Sequence, residues 1–133
     1  MTYIYQRMTA HDALEACRTA GRLLTDTNPG NFSYDGIRAL FEYLEDLSEG
    51  MGEPIELDII ALCCDYAEYG TARDAIGEYD NDEEVASLVR QYDEANRGQD
   101  FAKAAMIQND MLDWLRDRTT VIQFDTGVIL QSF

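Results

Sequence analysis

Bases, prolines and long apolar runs are all scarce in this chain of 133 residues. Only ten Lys and Arg stand against 26 Asp and Glu, a formal charge of −16. A negative field of that size repels nucleic acid and excludes a role in clamping phosphates directly. No run of about 18 apolar residues occurs, which removes the signal for a membrane-spanning helix. The first 25 residues lack the basic, apolar, small-residue order of a secretion signal, so the expected location is the cytoplasm, with no membrane partner. Two prolines, 46% hydrophobic residues and the absence of Ser- or Gln-rich tracts exclude a disordered composition. The three cysteines, Cys17, Cys63 and Cys64, are odd in number and have no Cys-x-x-Cys spacing. That excludes a disulfide framework and a zinc-finger pattern, and the adjacent pair is geometrically unsuited to bridging. All three are read as reduced, with Cys63 and Cys64 as small buried hydrophobes. His11, the single histidine, is read as a surface residue at a helix start.

What is present predicts one α+β domain over residues 1–133. Tyr3 to Met8 alternates as a short strand. Thr9 or His11 begins a helix to Arg22, with Ala13, Leu14, Cys17 and Ala20 inward, and Leu24 to Asn31, containing Asn28-Pro29-Gly30, is a loop. Ser33 caps a helix from Tyr34 to Glu49, in which Ile37, Leu40, Phe41, Leu44 and Leu47 form one apolar stripe. Gly50, Gly52 and Pro54 stop it. Leu57 to Tyr66 is apolar on both alternating faces in its middle and reads as a central strand, with a buried helix as the competing assignment. Thr71 caps a short helix to Tyr79. Further helices run from Glu83 to about Asn96, with Val85, Leu88, Val89 and Tyr92 inward, and from about Asp100 to Arg116, with Ile107, Met111, Trp114 and Leu115 inward. The chain ends in a hairpin, Thr119–Phe124 and Val128–Phe133, around a three-residue loop Asp125-Thr126-Gly127 with glycine left-handed. The expected architecture is a small antiparallel or mixed sheet of N-terminal strand, central strand and C-terminal hairpin, covered by four to five helices.

No constellation of catalytic residues stands out, and the expectation is a protein that is not an enzyme and takes no cofactor and no metal. Asp125-Thr126-Gly127 matches the tripeptide of aspartic proteases, but the same residues make good turn chemistry. Asp80 to Glu84 is acidic like a calcium loop, yet lacks its glycine at the sixth position and glutamate at the twelfth. Phosphate-cradling glycine loops, nucleophile elbows and dinucleotide fingerprints are absent.

The charge is uneven. Between Asp35 and Glu84 lie 16 carboxylates and two bases, Arg38 and Arg73, a net of −14 in 50 residues. On the Tyr34–Glu49 helix, Glu42, Glu45, Asp46 and Glu49 recur at spacings of three and four, which places them down one outer surface. Neighbours four apart on a helix are about 6 Å apart, the scale of successive phosphates on one strand. These four are the candidate partner-binding residues, with Glu53, Asp80, Asp82, Glu83 and Glu84 flanking them, and the partner they suit is a basic protein surface. A solvated face that only confers solubility is the plainer reading of the charge. The alternative binding mode is an interaction module anchored on aromatics such as Tyr66, Tyr69 and Tyr79.

The blocks Asn31-Phe32-Ser33-Tyr34-Asp35-Gly36-Ile37-Arg38-Ala39-Leu40-Phe41-Glu42-Tyr43-Leu44-Glu45, Glu56-Leu57-Asp58-Ile59-Ile60-Ala61-Leu62-Cys63-Cys64-Asp65-Tyr66, and the ending Thr119 to Phe124 and Gly127 to Phe133, resemble a group of small acidic proteins encoded by bacteriophages and prophages. The blocks cover around half of the chain. The group has no defining activity, and the stretch from Glu83 to Arg116 is longer here than in its usual members. The resemblance implies a setting in the host bacterial cytoplasm, where a compact polyanion is similar in kind to restriction blockers and anti-CRISPR proteins. The expected function is inhibition of a host nucleic-acid-binding defence complex by a DNA mimic seated in its basic groove, the protein itself being a monomer or a homo-oligomer.

Overall fold

The computed structural model describes residues 2–4, 9–25, 28, 30–53 and 55–133. Strand β1 (Thr2–Ile4) leads to α1 (Ala10–Thr19), capped by Thr9 in a reciprocal box: the Thr9 hydroxyl accepts from the Asp12 amide, and the Asp12 carboxylate accepts from the Thr9 amide. Those two bonds to Thr9 hold the Asp12 carboxyl below its ordinary pKa. The rest of the predicted Tyr3–Met8 strand, residues 5–8, lies outside the described residues, as do Pro29 and Pro54. Helix α1 stops before Gly21, whose φ of 72° is left-handed, so Ala20 is exposed rather than inward.

Helix α2 (Tyr34–Met51) begins at the predicted cap, the Ser33 hydroxyl accepting from the Gly36 amide at 3.0 Å. The Glu68 carboxylate reaches the same helix end and accepts from the Ser33 amide at 3.0 Å. It occupies the space a Cβ on Gly36 would need, so glycine in the first turn makes room for a distant acid at the positive pole of the helix. The inward stripe is Ile37, Leu40, Phe41 and Leu44, continued by Ser48 and not by Leu47, which is 40% exposed. Ser48 turns inward because its hydroxyl donates to the Glu53 carbonyl and so ties down the chain beyond the helix.

After β2 (Ile55–Leu57) the predicted central strand is corrected: Ile59–Asp65 is helix α3. Asp58 caps it, accepting from the Ala61 amide at 3.1 Å, and burial falls on Ile59, Leu62 and Tyr66 while Ile60, Ala61 and Cys64 are exposed. A burial period of three to four is helical, and the cap that Asp58 supplies tips an ambiguous apolar run that way. The chain then passes directly into β3 (Tyr66–Tyr69), α4 (Ala72–Ile76), a 3-10 turn Gly77–Tyr79, α5 (Glu83–Arg97), α6 (Phe101–Arg116), β4 (Val121–Phe124) and β5 (Gly127–Gln131). Thr71, Asp82 and Asp100 cap α4, α5 and α6 by side-chain acceptance from amides in the first turn. Six helices are therefore described, one more than the sequence reading allowed.

The strands form two antiparallel sheets rather than one. Strands β1 and β2 make a separate two-stranded ribbon in the register Thr2↔Leu57, and β3, β5 and β4 make a three-stranded sheet in that order. The true central strand is β5, where Val128, Ile129 and Leu130 are all buried. Ile129 faces a core with Ile122, Tyr66 and the apolar sides of α1, α2 and α3. Val128 and Leu130 face the other way, into a core with Met111, Leu112, Leu115, Val85 and Ile76 from α4, α5 and α6. Helices cover both sides of the sheet, giving a three-layer α/β/α arrangement in which a continuous apolar strand is required. Leu88, Val89 and Tyr92, predicted inward on α5, are only half-buried against this second core.

The hairpin turn also differs from its prediction. Phe124 pairs with Gly127, so the link is the two residues Asp125-Thr126, and Gly127 is not left-handed. Its glycine is needed for a close approach instead: a Cβ there would stand 2.5 Å from the Tyr69 carbonyl oxygen.

Candidate functional site

The outer face of α2 is an extended charged surface. Eighteen residues of uninterrupted helix carry Asp35, Glu42, Asp46 and Glu49 exposed, Glu45 half-buried between them, and Glu53 exposed just past the helix end. From Asp35 to Glu49 the face runs about 21 Å at 1.5 Å per residue. Over that length one strand of duplex presents about six phosphates, and the helix presents five carboxylates. The only base on the face is Arg38, whose guanidinium lies 3.4 Å from the Glu42 carboxylate, both side chains largely in solvent. An exposed pair of this kind contributes under about 1 kcal/mol and releases readily to a competing cation.

The hairpin turn extends this face. The Thr126 hydroxyl donates to the Asp35 carboxylate at 3.3 Å across 91 residues of sequence, and Asp35, Arg38, Ala39, Glu42, Phe124 and Asp125 together line a shallow depression of about 370 Å³. Asp125, weighed in the sequence only as turn or protease chemistry, thus joins the α2 carboxylates. No sequence signal places it there, because its neighbours are remote in the chain. Asp35 could have been found, since it stands seven residues before Glu42 and hence on the same helical face.

The flanking group lies elsewhere. Asp80, Asp82, Glu83 and Glu84 sit at the start of α5, in the helical layer on the opposite side of the three-stranded sheet from α2. Asp82 has a local task, its carboxylate accepting from the amides of Glu84 at 2.9 Å and Val85 at 3.3 Å. Glu83 and Glu84 complement the helix dipole in the first turn. Glu84 also lines a groove with residues of α6.

Tyr66, an aromatic anchor in the alternative reading, is a core residue, and Tyr69 and Tyr79 are half-buried against the second core. The Tyr79 ring lies tilted against Trp114, at 5.8 Å, and against Phe133, at 4.6 Å. Tyr66 is committed to the core, while Tyr69 and Tyr79, close enough to interact, each keep part of their surface exposed. His11 is exposed at the start of α1, as expected. Among the described residues no group of three His, Cys, Asp or Glu is arranged to hold a metal ion, and no helix is long and apolar enough to cross a membrane.

All three cysteines are free thiols, but the adjacent pair is less buried than predicted. On a helix rather than a strand, Cys63 is half-buried and Cys64 faces solvent. Burial pushes the Cys17 thiol up to about 11, with Cys63 and Glu68 adding to it. Burial likewise raises Cys63, against the pull of Arg22. In the unfolded chain a thiol loses its proton near its ordinary value of 9.0, whereas folded Cys17 keeps it to about 11. The unfolded state therefore binds fewer protons in that window, and the denaturation midpoint should fall as pH rises from about 9 to about 11. A Cys17→Ser variant should lose part of that slope. An unchanged slope would show that Cys17 does not carry it.

No family model, curated protein or solved structure matches the chain. The likeness to small acidic phage proteins accordingly rests on the quoted sequence blocks alone.

Proposed function

We propose that this chain is an acidic inhibitor that occupies the basic groove of a host nucleic-acid-binding complex of the restriction or CRISPR kind, presenting α2 where the nucleic acid would present phosphates. One observation carries the reading: five carboxylates share one outer face of an 18-residue helix, extended by Asp125 near its start, with Arg38 as the only base among them. A helix backbone is rigid, so the carbons that carry these charges are held at fixed spacing before binding, and the ordering cost is confined to the side chains. The rest of the surface contributes long-range steering toward a cationic partner, screened over about 10 Å at 0.1 M salt. Assignment to a phage and to host defence comes from the sequence resemblance and from charge and size.

Competition tests the reading directly. Host proteins captured on the immobilised chain at low salt should be released by added duplex DNA at concentrations that fill their own sites, because mimic and DNA need the same groove. Retention of the captured protein under saturating DNA would overturn mimicry, since the two would then bind different surfaces.

A further inference from the structure

A second acidic groove lies on the other side of the sheet, between α5 and α6. Glu84 and Leu88 from α5, Asp110, Asp113 and Trp114 from α6, and Asp117 and Arg118 just past its end line about 340 Å³. Asp110, Asp113 and Asp117 recur at spacings of three and four, which puts them on one side of α6. Carboxylates in a row are commonly no more than a solvated face, but two further features mark this groove. Trp114 is only 7% exposed, and its indole Nε1 is buried with no hydrogen-bond acceptor among the described residues. An unmatched buried donor costs on the order of 1–3 kcal/mol. The second feature is Arg118. Its guanidinium carbon stands 3.8 Å from the centre of the Trp114 ring, and its Nη1 donates to the Trp114 carbonyl at 2.9 Å. Amid four carboxylates it makes no ion pair within 4.0 Å among the described residues; Arg116 takes Asp113 instead, at 3.4 Å. The groove therefore holds an aromatic ring already covered by a cation, four carboxylates of which only Asp113 has a fixed counter-charge, and, on that ring, a buried donor without an acceptor.

From this we infer that the α5–α6 groove is a docking site for an arginine-rich segment of a partner protein, and that Arg118 is its internal placeholder. A partner arginine displaces Arg118 from the Trp114 face, neighbouring basic side chains pair with Asp110, Asp117 and Glu84, and a backbone carbonyl of the segment supplies the acceptor that the indole lacks. Cation–π contact and charge pairing suit arginine better than lysine, because the planar guanidinium stacks and is weakly hydrated. The site shares with the proposed function the expectation of a basic partner, but it lies on a different layer of the fold and stands or falls separately from α2.

Trp114 is the only tryptophan in the chain, so its emission reads the groove alone. Titration with a hexa-arginine peptide at low salt should change that emission saturably, and the indole N–H resonance should move downfield as it gains an acceptor. Arg118→Ala should tighten binding several-fold, by removing the competitor. The triple variant Asp110→Asn, Asp113→Asn, Asp117→Asn, nearly isosteric and checked for its fold by circular dichroism, should weaken it at least tenfold. A variant reversed on α2 should still give the emission change, which separates failure of this site from failure of the DNA-mimic reading. The inference is overturned if the peptide leaves the emission and the indole resonance unchanged, if Arg118→Ala binds no more tightly, or if spermine, which offers cations but no carbonyl, reproduces both signals.

Discussion

Carrying Glu42→Lys, Glu45→Lys, Asp46→Lys and Glu49→Lys together, the protein should bind its basic partner roughly 1,000-fold more weakly at 0.1 M salt and lose inhibition, while keeping its fold. Close charge pairs at an interface are worth about 1 kcal/mol or more each, and lysine replaces attraction with repulsion, so four reversals remove about 4 kcal/mol, or roughly three decades of affinity. The fold should survive because Glu42, Asp46 and Glu49 are exposed and Glu42 gives up only a solvent-facing pair with Arg38. Net charge alone cannot be the reason if position matters. Asp46→Lys with Glu49→Lys and Asp80→Lys with Glu83→Lys shift the total equally, but the second pair lies on the far layer of the sheet. Beyond a Debye length of about 10 Å it should change affinity by less than about threefold. Asp82 is left alone in that comparison because it caps α5. Equal losses from the two double variants would remove α2 as the contact surface and leave only a diffuse polyanion.

The second large effect concerns stability. Ile129→Ala should destabilise the protein by about 3 kcal/mol and lower its melting temperature by about 10 °C, since Ile129 is fully buried on a central strand that the surrounding layers cannot collapse onto. Ile60→Ala should cost under about 1 kcal/mol, because Ile60 is 48% exposed on the outer side of α3. The contrast discriminates between topologies. A chain whose central strand ran through Leu57–Tyr66 would give the two isoleucines similar, large effects in a thermal melt.

Those two isoleucines show how far the sequence could be read. Both sit in apolar runs with β-branching, Ile59-Ile60-Ala61-Leu62 and Val128-Ile129-Leu130, and both runs suit either a doubly covered strand or a buried helix by periodicity alone. The difference lay in a short-range signal at one of them. Asp58 stands where a cap is wanted, and the helix it starts exposes Ile60 and Cys64, which a strand would have covered. Helix α2 was legible almost whole, because its cap, its stripe and its glycine stop all act within a few residues of one another. Even there the last turn misled: Leu47 fits the stripe, but Ser48 wins the inward place through a bond to Glu53 that hydropathy does not register.

The candidate site divides along the same line. Glu42, Glu45, Asp46 and Glu49 share a face because helical geometry relates residues three and four apart, so composition and spacing determined that face without any knowledge of the fold. The sign and size of the charge, the helical hairpin of α5 and α6 and the terminal β-hairpin were likewise properties of local sequence. Only the tertiary structure decided that Asp125 joins α2, that the Asp80–Glu84 group lies across the sheet from it, that β1 pairs with β2 away from the main sheet, and that Arg118 covers Trp114 beside three aspartates. Each of these depends on which elements pack together. That choice is made by burying two separate apolar cores on the two faces of one sheet, a global balance that no window of neighbouring residues contains.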